Sequence, residues 1–430
     1  MFEKTLEPPG AISIMDSNGR RREPCRPAPQ LAVRRPAHPA QGTAPYRQPR
    51  TPASFATLHG IRIGATAPPD QHRRTSMRIA QIAPLYEAVP PKLYGGTERV
   101  VSYLTEALVD LGHDVTLFAS GDSVTSARLE AAWPRALRLD PSIRDSMAPH
   151  MRLLEQVARV AHEFDVLHFH LDYLPFPLMS RLDTPYVTTL HGRLDLPELQ
   201  PVFDAFPDAP VVSISNNQRK PLPQAAWAGT VYHGLPDTLL TPQPGVKPEY
   251  LAFLGRICPE KRVDTAIRIA AQSGLPLKIA AKVDKADADY FKEVIEPLLD
   301  QAHVEFIGEI NEAQKPAFLS GAKALLFPID WPEPFGLVMI EAMACGTPVV
   351  AFNRGSVPEV IEDGVTGFIV EDVQGAVGAL HRIDSLSRTA IRERFDTRFS
   401  SKAMAQRYVE TYESLCAGAR QPALRQVAGA

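Results

Sequence analysis

The stretch Ala324-Leu-Leu-Phe-Pro-Ile-Asp-Trp-Pro-Glu333-Pro-Phe-Gly-Leu-Val-Met-Ile-Glu341-Ala-Met-Ala-Cys-Gly346-Thr-Pro-Val-Val-Ala-Phe-Asn-Arg-Gly355-Ser-Val-Pro-Glu359-Val-Ile-Glu-Asp-Gly364 decides how the rest of the chain is read. Ala324 to Phe327 is an apolar run of strand length, stopped by Pro328. Gly336 to Cys345 reads as a helix closed by Gly346, a residue type that tolerates the left-handed position after a helix. Pro348 to Phe352 is a second apolar run, so the order is strand, helix, strand. In a parallel βαβ unit the loop leaving a strand opens on the crevice where ligands bind, and the next helix aims its N-terminus there. Glu333 falls on that loop between two prolines. The amides of Phe335, Gly336 and Leu337 form the helix start, whose N–H groups lack intrahelical partners and suit an anion. Glu341 lies about a turn and a half into the helix, flanked by Ile340, Ala342 and Met343 rather than by charges. The two carboxylates are open to three readings: unrelated solvated groups, the acid and base of a glycosidase, or two contacts spread along one ligand.

The 430 residues suffice for two domains, and a formal net charge of −3 gives no reason to expect nucleic acid as a partner. No apolar run reaches the ~18 residues of a membrane-spanning helix, so no integral membrane segment is expected. Cys25, Cys258, Cys345 and Cys416 are scattered without metal-binding spacing and read as reduced thiols of a cytoplasmic protein, with peripheral attachment to a membrane left open. The first 76 residues hold 12 of the 41 prolines and the pairs Arg21-Arg22, Arg34-Arg35 and Arg73-Arg74, with almost no helical or strand period. Such a segment buries too little apolar surface to offset its ordering entropy, and it lacks the apolar core of a secretory signal. Residues 1–76 are therefore expected to be a disordered extension, or to be untranslated if Met77 is the true start.

From Met77 the pattern alternates. Ile79 to Ala83 reads as a strand, and Gly95-Gly96 precedes a helix carrying Val101, Leu104, Leu108 and Leu111. Asp114 to Ala119, Asp165 to Phe169, Tyr186 to Leu190 and Val211 to Ile214 read as further strands. After a proline- and glycine-rich connector, Thr241 to Glu249, the alternation restarts at Tyr250 to Leu254 and continues through Leu277 to Ala281, Val304 to Ile307 and the opening stretch. This predicts an α/β protein with two parallel sheets, a first domain over 77–243 and a second over 247–398. An amphipathic helix over 399–418, with Met404, Tyr408 and Leu415 on one side, and a tail over 419–430 complete the chain.

Other groups fall at strand ends. Gly95-Gly96 lets backbone amides approach a phosphate, or is an ordinary turn. Arg256 and Lys261, five apart after a strand, suit a diphosphate or a solvated basic turn, and Arg262 is an alternative partner. His191 ends a buried strand and is either a contact for a ligand or a satisfied core histidine. His168 and His170 share a strand face, but no third metal ligand of suitable spacing is visible. Asp287-Ala-Asp289 has the form of a manganese-binding acidic pair, yet its charged surroundings read as a helix start.

Gly95-Gly96, His191, the Gly-Arg-x-x-Pro-Glu-Lys run from Gly255 to Lys261, and Glu333 to Glu341 together resemble the family 4 retaining glycosyltransferases of the GT-B fold, over about residues 77 to 415. The segment before Met77 has no counterpart there. The resemblance implies two Rossmann-like domains facing a central cleft, with the C-terminal helix crossing back to the first. It implies a nucleotide diphosphate sugar, a UDP-sugar favoured, held mainly by the second domain, and a carbohydrate, lipid or small-metabolite acceptor on the first. It implies Glu341 on the ribose, Glu333 with the Phe335, Gly336 and Leu337 amides on the sugar, and Arg256 and Lys261 on the diphosphate. Gly95 and Gly96 close on that diphosphate, and His191 lies beside the transferred sugar. No metal or other cofactor is implied. A nucleotide-sugar epimerase, a phosphorylase or a non-catalytic sugar-nucleotide binder shares the fold. An NAD-dependent dehydrogenase requires G-x-G-x-x-G after the first strand, which Gly95-Gly96-Thr-Glu-Arg-Val does not supply.

Overall fold

The structure is a computed structural model that describes residues 76–92 and 95–420. The expected N-terminal extension, and the tail after 420, lie outside the described residues. Seven parallel strands form the first sheet: β1 (Arg78–Ile82), β2 (Asp114–Ser120), β3 (Arg128–Trp133), β4 (Val166–Phe169), β5 (Tyr186–Thr189), β6 (Pro210–Ser213) and β7 (Ala226–Thr230), in the order β3-β2-β1-β4-β5-β6-β7. Six more form the second: β8 (Tyr250–Arg256), β9 (Leu277–Lys282), β10 (Val304–Gly308), β11 (Ala322–Phe327), β12 (Val349–Phe352) and β13 (Gly367–Val370), in the order β10-β9-β8-β11-β12-β13. Both sheets have the Rossmann-like, doubly wound form expected of a GT-B protein.

Strand order fixes where ligands can sit. In the first sheet the chain moves outward from β1 through β2 and β3, then returns to place β4 on the other side of β1. In the second it moves from β8 through β9 and β10, then returns to place β11 beside β8. Each reversal leaves a crevice at the C-terminal ends of the central strands. Ile79 pairs in register with Val115 on one side and Val166 on the other, and Leu325 pairs with Ala252 and Val349. Central strands flanked on both sides and covered on both faces must be apolar throughout. Accordingly Val166, Leu167 and Phe169 are fully buried, as are Leu325, Ala324 and Val349.

β3, β7 and β13 were not legible in the sequence. β3 is an edge strand with mostly half-exposed residues, β7 reads Ala-Trp-Ala-Gly-Thr, and β13 reads Gly-Phe-Ile-Val. The helix from Leu337 to Ala344 has Gly336 as its N-cap and Cys345 as its C-cap, within one residue of the reading from sequence. The last helix, Ser401–Arg420, buries Met404, Tyr408 and Tyr412 and packs on the Gly96–Asp110 helix of the first half. It crosses back as expected, and its two tyrosine hydroxyls reach the first sheet: Tyr408 meets the Thr189 hydroxyl at 2.9 Å, and Tyr412 accepts from Gln81 Nε2 at 3.1 Å. Buried tyrosines need such partners, because an unpaired hydroxyl in an apolar core is costly.

Candidate functional site

The loop after β8 and the loop after β11 lie beside the second sheet's reversal, and together they gather the charged groups. Lys261 ends a 3-10 turn, Pro259–Lys261, and its ammonium contacts Glu333 Oε2. The same ammonium lies 5.2 Å from the Trp331 ring and 5.7 Å from the Phe327 ring, and Trp331 Nε1 donates to Glu333 Oε2 at 2.9 Å. Aromatic faces attract a cation, so the pair is held on an apolar floor. Backbone geometry explains how Glu333 is placed. Gly355 has φ of +55°, and an added Cβ would collide with the Glu333 backbone N and O, so only glycine allows this approach. Ser356 N–H then donates to the Glu333 carbonyl at 3.0 Å, and its hydroxyl to the Phe335 carbonyl at 2.7 Å. Gly336 at φ +81° turns the chain into the helix, whose first amides have no intrahelical acceptor.

Arg256, the last residue of β8, faces Glu260 at 3.4 Å, Asp287 at 3.6 Å and Asp284 at 3.7 Å. Asp287-Ala-Asp289 does open a helical segment, with Asp289 exposed; Asp287 is half-buried and turned toward Arg256. Arg262 adopts a left-handed backbone, φ +56°, and its guanidinium is committed to Asp264 at 3.0 Å and Asp330 at 3.2 Å. All three cations, Arg256, Lys261 and Arg262, are thus paired with carboxylates.

Glu341 is 1% exposed, and its Oε1 is bound by Lys315 Nζ at 2.8 Å and by Arg99 Nη2 at 2.9 Å. Burial alone would raise its pKa, but the two cations outweigh it and hold the carboxyl at about 2. Arg99 belongs to the other half, three residues after Gly96, and also contacts Glu312. Burial opposes the Arg99 charge, yet Glu341, Tyr103 and Glu312 keep it raised above its ordinary value. Arg99, Glu312, Lys315 and Glu341 thus form a mixed-charge cluster bridging the halves. A second bridge joins Glu359 to the backbone amides of Asn216 and Asn217, each at 2.7 Å, and to the Tyr232 hydroxyl at 3.1 Å. Gly95 caps the first helix, and a Cβ there would press on Pro91 at 2.9 Å.

The facing wall is made of neutral groups at the ends of β1, β4, β5 and β7. His191 Nε2 lies 2.9 Å from His170 Nδ1, and His170 Nε2 lies 2.9 Å from Gln81 Oε1. His168 bonds Tyr412 Oη and the Thr189 hydroxyl, both at 2.7 Å. Both nitrogens of His168 and of His170 are thus engaged, and their rings, 4.2 Å apart, are tied into hydrogen bonds rather than turned toward a common ion. Among the described residues no group of three or more His, Cys, Asp or Glu is arranged to hold a metal. His233 stacks on His191 at 5.3 Å and 18°, and meets Phe335 of the second half edge-on at 4.9 Å. Burial lowers all four rings, His191 to about 3 and the others well below the usual histidine value, so they are uncharged near neutrality.

The structure thus brings Lys261 to Glu333 with Phe335 and Gly336 adjoining, puts Arg256 at the end of the strand before the loop that carries Lys261, and stacks His191 through His233 on Phe335. It adds Arg99, Lys315, Gln81 and His233, and gives His170 hydrogen-bond partners in His191 and Gln81. Arg99 carried a signal, its closeness to the glycine pair, and Gln81 another, a polar residue inside an apolar strand; their partners lie 242 and 89 positions away and no local pattern names them.

Residues 242–397 match the family described as glycosyl transferases group 1, and residues 94–264 match glycosyltransferase family 4. The phosphatidyl-myo-inositol mannosyltransferase of Mycolicibacterium smegmatis is 28% identical over 341 residues, covering 71% of this chain and 84% of that protein. The glycogen synthase of Mycobacterium tuberculosis is 26% identical over 418 residues, covering 80% of this chain and 97% of its own. Among solved structures, sucrose-phosphate synthase from Thermosynechococcus elongatus superposes with a TM-score of 0.62 at 22% identity, over 80% of this chain and all of the other. Anabaena HepE in complex with UDP and glucose gives 0.60 at 20% identity, over 79% and 100%. Among the described residues no helix is long and apolar enough to cross a membrane.

Proposed function

The chain belongs to the family 4 glycosyltransferases, and we propose that it moves a hexosyl group from a nucleotide diphosphate sugar, a UDP-sugar favoured, to an acceptor hydroxyl with retention of anomeric configuration. The observation that carries this reading is the joint placement of Lys261 on Glu333 and of the buried Glu341 carboxylate along one loop and helix beside the second sheet's reversal. The acceptor is the hydroxyl of a carbohydrate, a lipid or a small metabolite, and the protein works in the cytoplasm, free or attached to a membrane surface. UDP is favoured because HepE, of the same fold, is recorded with UDP and glucose.

Each group then has a role. Glu341 accepts hydrogen bonds from the ribose hydroxyls. Arg256 and Lys261 meet the diphosphate, while Glu333 and the amides of Phe335, Gly336 and Leu337 meet the sugar. The glycine pair Gly95-Gly96 lets first-half backbone approach the phosphates. As the glycosidic bond lengthens, the sugar becomes cationic and negative charge grows on the departing diphosphate. Fixed cations and helix-start amides aimed at that charge lower the barrier. A departing phosphate oxygen takes the acceptor's proton on the same face, which returns the sugar with its configuration kept. His191, uncharged, lies beside the sugar without opposing its developing charge. No metal is assigned, since Arg256 and Lys261 supply the positive charge that the diphosphate requires.

A thermal-shift screen of the full chain against UDP-, GDP- and ADP-sugars tests the reading first, because a bound donor stabilises the fold by mass action. Transfer assays with the selected donor, with product anomers assigned by NMR and with chelator present, test retention and metal independence. An inverted product, or turnover that requires added manganese, overturns those two points; no stabilisation by any nucleotide sugar overturns the donor class.

A further inference from the structure

We propose that Gln81 and His170 are positioning residues that fix His191 in the tautomer with its proton on Nε2, leaving a bare Nδ1 to accept a hydrogen bond from a hydroxyl of the transferred sugar. The inference rests on the sugar-transfer reading for the identity of the hydroxyl, but not for the tautomer.

The proton positions follow from donor and acceptor chemistry along one chain of contacts. Gln81 Nε2 donates to Tyr412 Oη at 3.1 Å, so its Oε1 faces His170 Nε2 at 2.9 Å. A carbonyl oxygen only accepts, so His170 must carry its proton on Nε2. The ring is neutral because burial disfavours its charge, so its Nδ1 is a lone pair. That lone pair lies 2.9 Å from His191 Nε2, which must then donate. His191 is neutral for the same reason, so its Nδ1 is an acceptor. This Nδ1 is buried and has no hydrogen-bond partner among the described residues. A buried acceptor left bare at the end of a run of engaged polar groups is a site prepared for a donor that arrives from outside.

Location says which donor. His191 stacks on His233, whose own Nδ1 is also buried and unpartnered, and His233 touches Phe335 on the loop that carries Glu333. The stack holds the plane of the His191 ring at the join between the halves, next to the loop assigned to the sugar. A sugar hydroxyl is a donor of the right kind, and a neutral acceptor there adds no positive charge beside a sugar that is becoming cationic. Tyr412 belongs to the crossing helix, so the orientation of Gln81 is tied to the docking of that helix on the first half.

The test needs no substrate. Nitrogen NMR of the full chain labelled in its histidine rings is expected to show His191 with a protonated Nε2 and an unprotonated Nδ1. Gln81→Leu and, independently, His170→Phe are expected to move both nitrogens toward the averaged shifts of a mixed population, with thermal melting confirming that each variant is folded. Thr189→Val, which alters the other end of the network at His168, is expected to leave His191 in place. In transfer assays, a deoxy donor lacking the recognised hydroxyl is expected to be about tenfold poorer with the native chain, since a tenfold loss is the size of one hydrogen bond; that penalty is expected to shrink severalfold in Gln81→Leu. A proton found on Nδ1 in the native protein overturns the proposal, as does a His191 tautomer unmoved by both Gln81→Leu and His170→Phe. The expected tautomer in a chain that transfers no sugar leaves the positioning intact and removes the transfer reading instead.

Discussion

The two walls of the site are both polar, but in opposite ways. The wall from the second half, with Arg99 reaching across, consists of ion pairs: Lys261 with Glu333, and Glu341 with Arg99 and Lys315. The wall from the first half consists of uncharged groups, Gln81, His170, His191 and His233, three of them linked in a single run of hydrogen bonds. Ion pairs can exchange one charged partner for another, so Lys261 can turn to a phosphate while Glu333 keeps the Trp331 N–H and is left open to a neutral donor such as a hydroxyl. A neutral network has no such substitute and keeps one geometry, which suits groups that must lie beside a forming cation. Under the proposed transfer, the charged wall would bind and neutralise, and the neutral wall would orient.

The largest break in this division should come at Lys261. Lys261→Ala is expected to lower turnover by about 100- to 1000-fold, the loss that follows removal of one preorganised donor to a transition-state anion. Circular dichroism should be close to native, with melting lowered because Glu333 loses its cation and keeps only the Trp331 N–H. Near-native turnover would remove Lys261 from the charged wall.

Glu341→Gln comes next. It leaves Arg99 and Lys315 beside a neutral amide, and breaking a buried pair in this way costs about 3 kcal/mol of stability. Donor affinity should fall as well, while the pH–rate profile keeps its limbs, as the proposed ribose-binding role of Glu341 requires. A shifted limb would give this carboxylate a catalytic role that belongs to neither wall.

Acid sharpens the comparison from the neutral side. Histidines held below their ordinary 6.5 stay unprotonated in the fold while the unfolded chain takes up protons, so the fold loses stability as pH drops below about 6.5, toward about 3 for His191. Glu341 acts later in the same direction: its stabilisation is complete above its unfolded 4.5 and is lost as pH falls toward about 2. Urea unfolding at pH 7.5, 6 and 5 should show stability falling through that range. A flat profile would mean that the four rings are not held neutral.

The smallest effect is expected at the back of the neutral wall. Tyr412→Phe removes the hydroxyl that meets Gln81 and His168 and should cost about 1 kcal/mol, the net worth of a buried hydrogen bond. No measurable change in melting would separate the crossing helix from the network.

Legibility in the sequence follows the same division. Lys261, Glu333 and Glu341 of the charged wall were readable because they lie on two short segments, Gly255 to Lys261 and Glu333 to Glu341, whose spacing is set by a strand end and a helix start; Arg99 and Lys315, which pair with Glu341, lie on neither. The neutral wall was readable only in part. His191, at a strand end, stood out; Gln81 did not, and His170 stood out only as half of a metal pair, since the Gln81–His170 contact depends on β1 and β4 being neighbours, which the chain order alone does not say. His168 and His170 could be taken for metal ligands because alternation along a strand places them on one face, while the Thr189, Tyr412 and Gln81 partners that engage them come from three other elements. Edge strands β3 and β7 were missed because they are not apolar throughout.

One binding measurement tests the division most directly. The nucleoside diphosphate of whichever donor stabilises the chain most is titrated calorimetrically into native protein, Lys261→Ala and His191→Gln. A charged wall that holds the diphosphate and a neutral wall that meets only the sugar predict a loss of more than about tenfold for Lys261→Ala, and little change for His191→Gln. Native affinity in Lys261→Ala, or an equal loss in both variants, would contradict it.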